Sequence, residues 1–269
     1  MRRAFVCMAV CGLTVLAVAA TATAAPKVTL RGRAIKIPGF PGTGNILGAG
    51  AAVEGEVTIS GTEYGGFPPP LIGAKVYLPK GTKITPNGFP VCPLQTLVEE
   101  KEPERCPKGS KAGPVGHAEG FVVFGTERVS ETVSIEPFYV PGGGIDFFAD
   151  GHDPASIEIV STGRIVSLNG GGGFGPIGEA TVPLIQTVPG AAYASTERIT
   201  LSLGTAIKKG KRTLYYGRVP TSCPKGGFPV KAELTFAENG DLQTPVTVTA
   251  FFKAPCPPRS HKKTKHKKH

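Results

Sequence analysis

The sequence predicts an all-β protein, an antiparallel β-sandwich-like body with little helix, followed by a disordered basic tail. Three observations carry that expectation. Short runs of alternating apolar and polar residues recur along the chain, which is the pattern of half-buried strands. Turn formers separate them, with 37 Gly and 26 Pro in 269 residues, as all-β domains require. No window sustains helical periodicity over three turns.

In chain order, "KVTLRGRAIKI" sets Val28 and Leu30 against Lys27, Thr29 and Arg31. "AAVEGEVTISG" sets Val53, Val57 and Ile59 against Glu54, Glu56 and Thr58. Period two means one buried face and one wet face. Further strands are expected at "LIGAKVYLP", "AEGFVVFG", "ETVSIEPFYV", "ASIEIVSTGRIVSL", "ERITLSLG" and "RTLYYGRV". "VKAELTFA" alternates Val230, Ala232, Leu234 and Phe236 with Lys231, Glu233 and Thr235, and "LQTPVTVTAFF" follows after "ENGD". Asn239-Gly240 accepts positive φ at both central turn positions, so a tight hairpin is expected there. "LQTLVEEKEPER" suits one short helix after Pro93, since proline fits a first helical position.

The N-terminus has the order of a secretory signal. Arg2 and Arg3 precede the uncharged run "AFVCMAVCGLTVLAVAA", and small residues close it at "TATAA". Charged start, apolar core and small-residue end predict a signal peptide over residues 1–24 with cleavage after Ala24, and hence a secreted protein. A membrane anchor is the alternative, but the apolar run ends without a positive flank.

Cys7 and Cys11 leave with that signal. Cys92, Cys106, Cys223 and Cys256 remain, and an even count in an exported chain predicts disulfides. Three pairings are open to four cysteines. Cys92–Cys106 with Cys223–Cys256 is the expected set, because each pair closes a local loop. Zinc and redox chemistry fit poorly. There is no C-x-x-C, and no His stands at ligand spacing from a Cys.

Charge is segregated. Of 30 Lys and Arg, two lie in the signal and six in the last eleven residues, which leaves 22 against 20 acidic residues in between. The six are Arg259, Lys262, Lys263, Lys265, Lys267 and Lys268. Charge this dense cannot bury a core, so residues 259–269 are expected to form a disordered cationic tail. Its expected partner is an anionic cell-wall polymer or lipid surface. A nearly neutral body without interleaved aromatic and basic residues excludes specific nucleic-acid reading. The disulfide-stapled domain spans 25–258, with a division into two β lobes near 141–155 left open.

Two short words repeat. "CPKG" occurs at Cys106–Gly109 and Cys223–Gly226, and "GFPV" at Gly88–Val91 and Gly227–Val230, in reversed order. Both CPKG copies are expected to be proline-fixed turns carrying a disulfide. With these turns, "LPKGTKITPNGFPVCPLQTL", "RCPKGSKAG" and "VPTSCPKGGFPVKAELTFAENG", followed by Cys256, the chain resembles a group of secreted actinobacterial proteins of unknown function. The resemblance covers roughly residues 71–120 and 218–256. It implies an exported β-rich fold and brings no activity and no catalytic residues.

Four further stretches bear on chemistry. "GTGNILGAG" (42–50) follows prolines where a dinucleotide site needs a strand. "NGGGGFGPIG" (169–178) lacks the Lys-Ser/Thr ending of a phosphate loop and is expected to be a surface loop or linker. "SCPK" (222–225) fits S-x-x-K, but Pro224 denies the helix that motif needs. "GGGIDFFADGHDP" holds the one polar cluster. Asp146, Asp150 and Asp153 could ligate calcium, and with His152 they could serve an extracellular hydrolase. Asp-Gly and Asp-Pro also make ordinary turns. The leading expectation is an exported, non-catalytic structural or binding protein at the cell envelope, with no cofactor.

Overall fold

A computed structural model describes residues 25–124 and 126–257. The expected signal, residues 1–24, and the basic tail lie outside the described residues. Fifteen strands form in order: β1 (Lys27–Ile35), β2 (Ala52–Ser60), β3 (Leu71–Pro79), β4 (Lys83–Ile84), β5 (Gly116–Phe124), β6 (Glu127–Tyr139), β7 (Ile145–Gly151), β8 (Ile157–Ser167), β9 (Phe174–Thr181), β10 (Ser195–Leu203), β11 (Ala206–Lys209), β12 (Arg212–Tyr215), β13 (Gly217–Arg218), β14 (Phe228–Ala237) and β15 (Pro245–Ala254). Among the described residues helix is confined to short turns, including one over Gln95–Glu99 and another over Pro103–Arg105. These lie where the sequence places its one short helix.

Eleven strands make one antiparallel sheet in the order β1-β2-β10-β5-β6-β7-β8-β9-β3-β14-β15. The sheet nearly closes into a barrel, with its end strands β1 and β15 packed against each other. Two small ladders, β11-β12 and β4-β13, stand apart from it. Strands from the two halves of the chain interleave, since β10 pairs with β2 and β5 and β3 pairs with β9 and β14. The stretch 141–155, where two lobes could have parted, contains β7. That strand is paired on both sides, to β6 and β8.

Burial follows the alternation. Ile59 of β2, Leu71 of β3 and Ala232, Leu234 and Phe236 of β14 form one core cluster, with Val28 and Leu30 of β1 and Ile199 of β10 packed on it. The strands at the two ends of the sheet therefore face each other across a shared interior, which gives the two-layer character of a sandwich. At mid-sheet, β7 is buried on both faces. Phe148 joins Phe138, Val160, Cys92 and Leu97 on one side. Ile145 and Phe147 join Phe89, Tyr139 and Tyr216 on the other. The segment that ends at Cys106 thus supplies a covering layer for β6–β8.

The disulfides are Cys92–Cys106 and Cys223–Cys256. Both CPKG words make the same turn. Ser110 N–H donates to the Pro107 carbonyl and Gly227 N–H to the Pro224 carbonyl, at 3.0 and 3.1 Å. Gly109 and Gly226, third in each turn, have φ of 87° and 88°. That positive φ at the third position defines a type II turn, which a side chain would strain. In each GFPV word the glycine is again left-handed and the following Phe89 or Phe228 is buried.

Three expectations need correction. The acidic "loop" is largely β7, because its apolar residues are buried on both faces and period two is invisible in a strand of that kind. "NGGGGFGPIG" is the β8-β9 hairpin turn and the start of β9, not a linker. Phe174 N–H donates to the Gly171 carbonyl, and Gly171, Gly172 and Gly173 all have positive φ. The β14-β15 hairpin forms, but its connection is Glu238 to Thr244 rather than a two-residue Asn-Gly turn, since Ala237 pairs with Pro245.

Loop closure sets the expected value of the staples. Replacing Cys92 and Cys106 together by Ala should lower the unfolding free energy by about 3 kcal/mol, and replacing Cys223 and Cys256 by about 4 kcal/mol. Urea unfolding of each double variant measures this. Midpoints equal to that of the parent protein would show that neither loop constrains the unfolded chain.

Candidate functional site

The space between the sheet's two ends is not completely filled. A cavity of about 230 Å³ runs between β1, β2 and β10 on one side and β3, β14 and β15 on the other. Its wall consists of inward-facing strand positions: Leu30 and Ala34, Val53 and Val57, Ala74 and Val76, Val230 and Leu234. Two glycines interrupt this wall, Gly32 in β1 and Gly55 in β2, and they are register partners. A Cβ on Gly32 would stand 3.0 Å from the ring of Phe252, so that glycine makes room for the aromatic side chain of β15. A Cβ on Gly55 would meet only the Arg31 carbonyl, at 3.9 Å. Gly55 therefore borders open space.

Charged side chains surround this cavity without entering into convergent chemistry. Arg33 Nε lies 2.9 Å from Glu54, and Arg198 lies 3.0 Å from Glu56. The Arg198 hydrogen bond, with Arg31 nearby, holds the Glu56 carboxyl below its ordinary value. At the end nearest Phe228, where Ala34 and Val219 pack with that ring, the polar lining includes Asn45, Thr82 and Arg218. The Arg218 guanidinium stacks on the Tyr215 ring at 4.6 Å.

The residues singled out for calcium or hydrolysis do not assemble. Asp146 and Asp150 stand four residues apart on β7, which separates their backbones by about 13 Å. Among the described residues no group of three His, Cys, Asp or Glu could hold a metal ion. His152 Nε2 lies 3.1 Å from Asp150, but its side chain is 71% exposed. Ser134 donates its hydroxyl to the backbone carbonyl of Asp150, not to His152. A second cavity, of about 480 Å³, is lined by residues such as Lys101, Ser156, Glu158 and Thr187, and none of Asp146, Asp150, His152 or Asp153 borders it.

Asp146 has a structural place instead. It is 2% exposed and opposite Phe138 in the ladder. One carboxylate oxygen accepts the Gly163 N–H at 3.3 Å, and the other is buried without a partner. Burial raises its pKa, and the Gly163 bond offsets only part of that. Tyr139 and Tyr216 are likewise buried phenols. Burial pushes Tyr139 up to about 12, and Tyr216 is raised for the same reason. Tyr139 shares a 2.9 Å hydrogen bond with Thr205, and its ring packs with those of Phe89 and Tyr216.

Arg259, Lys262, Lys263, Lys265, Lys267 and Lys268 lie outside the described residues. The cavity was missed in the sequence, although Gly32 and Gly55 signal it. Glycine inside a strand marks a bulge or a close approach. Compared with family models, curated proteins and solved structures, the chain matches none.

Two measurements test this geometry. Gly32→Val should destabilise the fold by about 1–3 kcal/mol through overpacking against Phe252, whereas Gly55→Val should raise stability, because valine suits a strand and has room. Equal effects in urea unfolding would contradict the assignment of space. Asp146 has a raised folded pKa, so its ionisation opposes folding once pH rises above the ordinary aspartate range. Asp146→Asn should therefore be more stable than the parent at pH 7, with the difference fading below about pH 4. A difference that grows on acidification would reverse the sign and refute burial as the cause.

Proposed function

We propose that the protein is an exported, non-catalytic binding protein held at the cell envelope by its basic tail. The apolar cavity between the sheet's ends carries the binding half of this reading. Ligand sites are concave and mainly apolar with few polar groups, whereas an enzyme site needs convergent titratable groups. Around this cavity the carboxylates of Glu54 and Glu56 are engaged by arginines. The two disulfides are consistent with an extracellular location.

The tail supports the other half. Arg259, Lys262, Lys263, Lys265, Lys267 and Lys268 put six cations in eleven residues, beside a stretch with 22 basic and 20 acidic residues. Near an anionic surface each is worth about 1 kcal/mol, so six set a ceiling of roughly 6 kcal/mol. Salt screening over about 8 Å lowers it. Reversible capture on a wall polymer or lipid headgroup results, short of permanent anchoring.

Fractionation of native cells tests the reading. Deleting residues 259–269 should move the protein from envelope to medium, as should about 1 M salt, where the Debye length shortens to about 3 Å. The melting temperature should stay unchanged. Equal partitioning of truncated and full-length protein at low salt would remove the tail as the anchor.

A further inference from the structure

We infer that the cavity takes the hydrocarbon chain of a single-chain amphiphile whose anionic head group rests against Arg218. This rests on the binding reading above and names the ligand class. Size is the first argument. At about 230 Å³ the cavity exceeds the roughly 150 Å³ apolar void that accepts benzene. It falls below the roughly 300–1,000 Å³ of sites for drug-sized molecules. Shape is the second. On β14 the lining runs from Phe228 through Val230 and Ala232 to Leu234, a rise of about 20 Å. A space this long and this small is thin, so it suits a chain and not a fused-ring ligand. Its wall is largely aliphatic, with only Phe228 and Phe252 aromatic, so seating a hydrocarbon chain removes apolar surface of both ligand and wall from water.

Polarity sets the direction of the ligand. The deep end is bounded by Val57, Leu71, Ile199 and Leu234, and all four belong to or pack on one buried core cluster. The other end carries Asn45, Thr82 and Arg218. The glutamates on the wall are already engaged, Glu54 by Arg33 and Glu56 by Arg198. Arg218 makes no salt bridge among the described residues, and stacking on Tyr215 fixes its guanidinium in place. A cation without a carboxylate partner, at the polar end of an apolar channel, is complementary to a carboxylate or phosphate head. Both head groups are read by the same planar donor fork.

Calorimetric titration of the mature full-length protein with straight-chain carboxylates and the matching alcohols tests this. Decanoate should bind one to one. Affinity should rise about fourfold per methylene from hexanoate and level off by hexadecanoate, when the channel is full. Arg218→Gln should weaken decanoate about tenfold and leave decanol unchanged. Gly55→Leu, which fills the channel, should abolish both. Deletion of residues 259–269 should change neither, which separates the cavity from charge capture by the tail. Absence of saturable binding, or affinity still rising through octadecanoate, would overturn the inference. So would decanoate binding unchanged in a folded Gly55→Leu variant, with folding judged by near-ultraviolet circular dichroism. If Gly55→Leu fails to fold, the chain-length series on the parent protein decides. Dodecyl phosphate in place of dodecanoate distinguishes a phosphate-headed ligand from a fatty acid. Loss of all these signals with envelope association intact fails this inference alone.

Discussion

Strand parity constrains this structure more than any single contact. Eleven strands pair antiparallel in one sheet, so the first and last run in the same direction. An antiparallel ladder cannot close such a sheet, and no ladder joins β1 to β15 among the described pairings. Closure falls to side chains instead. Phe252 of β15 lies over Gly32 of β1, and the apolar faces of both strands meet the core around Leu234. Two backbone edges are therefore unpaired along the seam, a liability that covered or twisted edges usually manage. The cavity lies against this seam, lined by both strands.

The second disulfide acts on the same weak point. Cys256 follows the end of β15, and Cys223 sits in the turn that leads into β14. The bond ties the free end of an edge strand back to the strand that pairs with it. The first disulfide serves the middle of the sheet, where Cys92 and Leu97 are fully buried on Phe138 and Phe148. Each staple comes with a proline-glycine turn of the same type, and each GFPV word delivers a buried phenylalanine beside it. The two repeats thus solve one local problem twice, that of joining a turn to a core anchor.

Much of the fold was legible in the residues because alternation survives wherever one strand face is wet. β1, β2, β14 and β15 announce themselves in this way, and the local cysteine loops announce their pairing. β7 and β9 were not legible. Phe147 and Phe148 pack on opposite faces, so β7 shows no period, and its Asp146 and Asp150 mimic a loop. β9 begins inside a glycine-rich run whose composition resembles a linker. The candidate site was legible least, since a cavity is made by what is missing from a wall. Alternation locates the inward positions of β1 and β2 but cannot say that Gly32 and Gly55 are paired in register.

That glycine pair unites closure with cavity. Glycine inside a strand costs about 0.5–1 kcal/mol relative to alanine, and here two such costs fall side by side. Packing accounts for Gly32, because a Cβ there would stand 3.0 Å from the Phe252 ring and 3.1 Å from the Glu54 carbonyl. Packing does not account for Gly55, which faces space that a valine could occupy. Natural sequences break a local rule chiefly where function asks for it. One glycine of the pair lets the odd-stranded sheet close, and its partner keeps the interior from filling. A sheet of this parity thus encloses an apolar channel beside its seam, with Arg218 at the channel's polar end.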